Sequence, residues 1–234
     1  MRAPFAVLFG LWGTPAPGVP PSERDAVSHE MAVDLGVDGT AFAAAYRDSY
    51  RERFVGATGS LEETIRTLAE RCGGAPSVAA VTAAAARRLD LTRRLLESDD
   101  LTFAVLDGLL DAGLPLALVS DSSVETPSLW AESPLSERIM VTAFSCLLGV
   151  RKPDPAIYLH AVRELDVRPA DCLFVGDGGG RELSGATELG MQVVRLRVPG
   201  DDPTDRYDDD RSFTGPQITA LSDLLTMPWL RRAE

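Results

Sequence analysis

Six polar residues at the ends of short apolar runs could do chemistry: Thr14, Ser120, Asp121, Lys152, Asp177 and Glu182. Together they offer the parts of an anion or metal site. A serine hydroxyl and backbone N–H groups can hold phosphate oxygens. A lysine ammonium is a compact point charge that the wider fork of arginine does not duplicate. An aspartate beyond a strand end can hold magnesium. Lys152 is the single lysine among 23 Lys and Arg residues, which suits a position that requires an ammonium.

Each of these residues also has a plainer reading. Ser120 and Asp121 can cap a helix or close a turn. Lys152 precedes Pro153-Asp154-Pro155, where a proline can open a helix. Asp177 stands before three glycines, a turn composition. Glu182 can be a solvated acid in the first turn of a helix, favoured by the helix dipole. The convergence of several strand ends favours a shared site over any single residue.

Those strand ends follow from the pattern along the chain. Apolar runs at 4–9, 115–119, 139–144, 172–175 and 192–196 alternate, beyond residue 100, with helical stretches at 101–112, 156–165 and 182–189. Short, fully apolar strands alternating with helices predict a parallel sheet covered on both faces. Ligands of such sheets bind beyond the carboxyl ends of the strands. Between the first and second runs, a proline-rich linker (Pro15 to Pro21) leads into a block that reads as helical from Ser22 to Ser98. It holds about four helices by pattern, among them Thr40–Tyr50, Val78–Leu96 and one opened by the capping box Ser60-Leu61-Glu62-Glu63. Two domains are expected: a core of residues 1–18 and 100–234, and a helical cap of residues 19–99. Residues 198–211 read as an acidic surface loop, and Ile218–Leu225 as a last helix.

Composition narrows the partners. The chain has 234 residues, 45% of them hydrophobic, and a net charge of -12. That field repels nucleic acid and anionic lipid, so neither is an expected partner. No apolar run is long enough to span a bilayer, and the first apolar stretch is too short for a signal peptide, which places the protein in the cytoplasm. Cys72, Cys146 and Cys172 read as reduced thiols, and His29 and His160 as isolated residues without a metal role.

The stretch Phe144-Ser145-Cys146-Leu147-Leu148-Gly149-Val150-Arg151-Lys152-Pro153-Asp154-Pro155 resembles the third motif of the haloacid dehalogenase superfamily, in its phosphatase-like branch with a helical cap. Phe174-Val175-Gly176-Asp177, with Glu182 and Ala186–Gly190, is similar to the fourth motif, and Leu118-Val119-Ser120-Asp121 to the second. The resemblance implies an α/β fold: a Rossmann-like parallel-sheet core with an inserted all-helical cap. It also implies that Thr14, Ser120, Asp121 and Lys152 bind phosphate or another ligand, and that Asp177 and Glu182 face a metal.

The first motif departs from the family. Members carry Asp-x-Asp-Gly-Thr, in which the first aspartate attacks phosphorus and the second is the general acid and base. Here the frame reads Gly10-Leu11-Trp12-Gly13-Thr14. Gly10 has no side chain, and the Trp12 indole is a donor only. Loss of a covalent nucleophile costs about 10⁴- to 10⁶-fold in rate. The family's magnesium loses the carboxylate of the first aspartate, so its binding is expected to be weak or absent. Lys152 is then expected to lean on Asp177, with the bulk of Trp12 in the phosphate space.

Three functions remain open. The first is a catalytically degenerate homologue that binds a small anionic metabolite or a protein partner. The second is an enzyme that acts on a phosphorylated or carboxylated metabolite without an aspartyl phosphate. The third is an interaction module, with Trp130 and Trp229 available to an interface.

Overall fold

A computed structural model describes residues 2–200 and 207–229. The first strand, β1 (Ala6–Phe9), is buried along its whole length. Its side chains alternate between two cores: Val7 and Phe9 join one apolar cluster, Ala6 and Leu8 the other. This alternation follows from the period of two of a strand, and it makes β1 the centre of a sheet covered on both faces.

Six helices precede the second strand, and the first five form the cap: α1 (Pro21–Leu35), α2 (Gly39–Asp48), α3 (Tyr50–Phe54), α4 (Leu61–Arg71) and α5 (Val78–Leu95). Pro21 is the first helical residue of α1, where a proline loses no intrahelical bond. Asp38 and Ser77 cap α2 and α5, and the Ser60–Glu63 capping box opens α4 as expected. This cap has its own core, built from residues such as Met31, Phe42, Ile65 and Leu91. The expected helix over 40–50 ends earlier, and the one-turn α3 follows it.

The remaining elements are α6 (Asp100–Asp111), β2 (Leu116–Ser120), α7 (Glu125–Leu129), β3 (Val141–Phe144), α8 (Ser145–Leu148), α9 (Pro155–Glu164), β4 (Cys172–Gly176), α10 (Glu182–Glu188), β5 (Gln192–Leu196) and β6 (Gln217–Ile218). The sheet is parallel throughout, in the order β3-β2-β1-β4-β5-β6. The chain leaves β1 toward β2 on one side and returns on the other with β4. The crevice beyond the ends of β1 and β4 is therefore the switch point where such sheets bind ligands.

Two expectations fail at the carboxyl end. Ile218–Leu225 is not an α-helix: Ile218 closes the edge strand, and Leu221–Thr226 forms 3₁₀ turns. The Asp223 carboxylate accepts from the Thr219 and Ala220 N–H groups at 3.0 Å each, which tightens the chain there. The acidic stretch 198–211 is also not wholly a surface loop. Residues 201–206 lie outside the described residues, but Asp210 is buried and accepts from the Ser184 N–H and hydroxyl at 2.6 and 2.7 Å. No helix among the described residues is long and apolar enough to cross a membrane. Trp130 packs edge-on against Phe144, and both Trp130 and Trp229 are partly buried against the core.

Candidate functional site

The ends of β1, β2 and β4 open into a cleft of about 570 Å³ between core and cap. Thr14, Ser120, Asp121, Lys152, Asp177 and Glu182 all line it, so the six residues singled out by pattern share one place. Trp12 is half-buried and lines the same cleft without filling it.

Glu182 is not a solvated first-turn acid. It is 1% exposed, and Lys152, 5% exposed, lies against it with Nζ 2.6 Å from Oε2. The other carboxylate oxygen, Oε1, accepts from the Gly178 N–H at 3.0 Å. The expected Lys152–Asp177 ion pair is therefore replaced by Lys152–Glu182, and Asp177 adds a longer-range pull on the ammonium. The reason is reach: the first turn of α10 aims the longer acid under the Lys152 loop. The Asp177 carboxylate turns back to accept from the Gly179 N–H at 2.9 Å.

Gly10 makes this arrangement possible. A β-carbon there would stand 2.6 Å from Glu182 Oε2 and 3.2 Å from its carboxyl carbon, closer than packed atoms allow. Gly176, on the adjacent strand, also leaves room for the carboxylate. The site has not merely lost a side chain at position 10. Another carboxylate occupies the space just beyond its backbone. Gly13 serves the same edge differently: its φ of +72° is left-handed, and a β-carbon would press on Asp177 Oδ2 at 2.5 Å.

Burial shapes the charges. It pushes the Glu182 carboxyl up to about 7, against the pull of Lys152. Burial would also lower the Lys152 ammonium, but the carboxylates of Glu182 and Asp121 outweigh it and hold the lysine above its ordinary value. Asp121 is itself raised by burial, partly offset by Lys152. Its Oδ1 accepts from the Lys152 backbone N–H at 2.9 Å, so Asp121 fixes the lysine loop and presents no donor to an anion.

Donors without partners mark the other side. The Ser120 hydroxyl, on a residue 1% exposed, and the Thr14 hydroxyl are buried without a hydrogen-bond partner. Buried polar groups of this kind cost stability unless something satisfies them, and both line the cleft.

Of the carboxylates that the family resemblance assigns to magnesium, Asp177 alone lines the cleft without an ion pair to Lys152. Gly10 supplies no carboxylate. Both oxygens of Glu182 are engaged, by the Lys152 ammonium and by the Gly178 N–H. Among the described residues, no group of three or more His, Cys, Asp or Glu side chains is placed to hold a metal ion.

Pattern reading missed the cap wall. Tyr46, Arg53 and Arg88 line the cleft from α2, α3 and α5. Arg88 is paired at 2.7 Å with Glu125, which is fully buried in the core helix α7. No spacing marks them: one tyrosine and two arginines in Ala- and Arg-rich helices look like ordinary surface. Segment 207–211 was missed as well. The Tyr207 carbonyl accepts from the Gly180 N–H at 2.7 Å, and the Tyr207 ring stacks on Tyr50 of the cap at 4.2 Å.

Comparison with known proteins identifies the family and the fold. Residues 6–190 match the haloacid dehalogenase-like hydrolase family. The chain is similar to a glyceraldehyde 3-phosphate phosphatase of Methanopyrus kandleri, 41% identical over 64 residues, which is 27% of this chain and 28% of that protein. It is also similar to haloacid dehalogenase-like hydrolase domain-containing protein 3 of Mus musculus, 29% identical over 160 residues, covering 66% of this chain and 62% of that one. The matched stretch is thus under two thirds of either relative. Among solved structures, a HAD phosphatase from Thermococcus onnurineus superposes with a TM-score of 0.65 at 20% identity, over 97% of each chain. The L-2-haloacid dehalogenase from Xanthobacter autotrophicus with chloropropionic acid covalently bound gives 0.64 at 20% identity, over 97% of this chain and 98% of that one.

Proposed function

The chain belongs to the haloacid dehalogenase-like hydrolase family, and from that premise we propose that it binds a small anionic metabolite in the cleft without aspartyl-phosphate chemistry. The observation that carries this reading is the Glu182 carboxylate against Gly10, held by Lys152. The nucleophile is gone, and its neighbourhood is occupied by an ion-paired acid. The buried, unpartnered hydroxyls of Ser120 and Thr14 are donors for an oxyanion. Among the relatives named above, the glyceraldehyde 3-phosphate phosphatase acts on a phosphate ester, a substrate that carries an anionic group. Magnesium binding is weak or absent on this reading. A protein partner at the same cleft would have to present such a group. The cytoplasm suits a chain with three free cysteines.

A second reading has its own support. Glu182 is a buried carboxyl near neutrality beside a lysine, which is the form a general base takes. An enzyme acting on a phosphorylated or carboxylated metabolite through a water activated near Asp177 and Glu182 would need no aspartate at position 10.

One experiment separates the two. Phosphate release from a panel of small phosphate esters is measured with and without magnesium, for the native chain and for Asp177→Asn. Binding of inorganic phosphate is followed by calorimetry. Saturable binding with no turnover above the variant supports the binding protein. Turnover that the Asp177→Asn change abolishes supports the enzyme. Absence of both overturns the anion-binding reading.

A further inference from the structure

The cap side of the cleft contains a buried cation whose hydrogen bonds are all with neutral groups. Arg53, on the one-turn α3, is only 4% exposed. Its Nε donates to Ser49 Oγ at 3.0 Å, Nη1 to Ser123 Oγ at 3.1 Å and Nη2 to the Tyr46 carbonyl at 3.2 Å. These contacts use three of the five N–H donors of a guanidinium, and none is to a carboxylate.

Glu125 pairs directly with Arg88, and Arg53 acts on it only at longer range. Among the described residues Arg53 is thus a buried cation without a carboxylate bound to it, a condition that proteins otherwise relieve by pairing. Tyr46 lies between these groups in space. Its ring centroid is 4.2 Å from the Arg53 guanidinium carbon and 5.5 Å from that of Arg88. The Tyr46 hydroxyl is buried and has no hydrogen-bond partner. Burial raises its pKa above the ordinary value, so it remains a donor at neutral pH.

This cap cluster belongs to the same cleft as the core donors. Ser123, the Arg53 partner, is three residues past Ser120, and Tyr46, Arg53 and Ser120 all line the cavity. Resting on the anion-binding reading of the core end, we infer that Arg53 and the Tyr46 hydroxyl form a second anion subsite, so that the ligand is a small metabolite with an anionic group at each end. One end meets Ser120 and Lys152, and the other meets the cap.

Pairs of probes that differ only at the far end test this. Calorimetry compares 3-phosphoglycerate with glycerol 3-phosphate, and 4-phosphoerythronate with erythritol 4-phosphate, so that two spans are sampled. A charge-assisted contact made at the far end should favour at least one carboxylate over its alcohol by about tenfold or more. Tyr46→Phe keeps the ring and removes only the hydroxyl, and should reduce that preference several-fold. Arg53→Gln should bring it close to one. Equal binding of acid and alcohol at both spans overturns the second subsite and leaves the core site standing. Absence of binding by all four, and by inorganic phosphate, overturns the core reading together with this one. A preference that survives both Tyr46→Phe and Arg53→Gln places the far anion elsewhere and also overturns the assignment.

Discussion

The carboxylate of Glu182 lies 2.6 Å from the point where a β-carbon on Gly10 would stand. The missing nucleophile and the buried acid are therefore one structural fact. The consequence is that restoring the family's first motif does not restore its chemistry. Gly10→Asp with Trp12→Asp should give no phosphatase. It should also lower stability by about 1–3 kcal/mol, because the new side chain overpacks a pinned, like-charged neighbour. Shortening that neighbour with Glu182→Asp should recover part of the loss. Thermal unfolding and phosphate release, measured on the double and triple variants, check both parts. A fully stable double variant would mean that Glu182 moves aside freely.

Lys152 and Glu182 neutralise one another out of water. Lys152→Met should be strongly destabilising, by about 3–5 kcal/mol, because it leaves a buried carboxylate without its cation. Lys152→Met combined with Glu182→Gln should cost clearly less than the two single changes added together. Urea unfolding of the four proteins gives the coupling directly. Additive losses would mean that the pair contributes nothing as a pair.

Cap and core are joined by the Arg88–Glu125 pair, and this link has a pH signature. Burial alone would raise the Glu125 carboxyl, but Arg88 and then Arg53 outweigh it and hold its pKa below the ordinary 4.5. An acid depressed in the folded state adds stability above its unfolded pKa and loses it as pH falls through the folded one. The stability curve should therefore fall on the acid side, below about pH 4.5. Glu125→Gln should flatten that limb while lowering stability at neutral pH. An unchanged acid limb in the variant would assign the slope to other carboxylates.

The sheet was legible because its strands are buried on both faces and so read as unbroken apolar runs. Leu116–Ser120 and Cys172–Gly176 could hardly be anything else, and the polar residues after them had to meet at one edge. The partner of Lys152 was not legible. Choosing Glu182 over Asp177 depends on the backbone of the Gly178–Arg181 turn, where Gly178, Gly180 and Arg181 all have positive φ. The cap wall was hidden for a different reason. Arg53 and Tyr46 acquire meaning only when α2 and α3 fold against the loop after β2, and nothing in their spacing announces it. The carboxyl-terminal turns were misread because Leu221, Leu224 and Leu225 imitate a helical stripe, while Asp223 ties up the N–H groups that precede it.

Ser120 separates stability from binding. Its buried hydroxyl has no partner, so the ligand-free protein carries a desolvated donor for no return. Ser120→Ala should leave stability without ligand unchanged or raise it slightly, since removing an unsatisfied polar group removes its cost of about 1–3 kcal/mol. The same change should weaken phosphate binding, because that hydroxyl is among the donors the core end offers. Melting curves with and without millimolar phosphate resolve the two effects in one experiment. A clear drop in stability without phosphate would mean that the hydroxyl is already satisfied inside the protein. An undiminished phosphate-induced rise in Tm would remove Ser120 from the anion site and leave Thr14 and Lys152 to hold it.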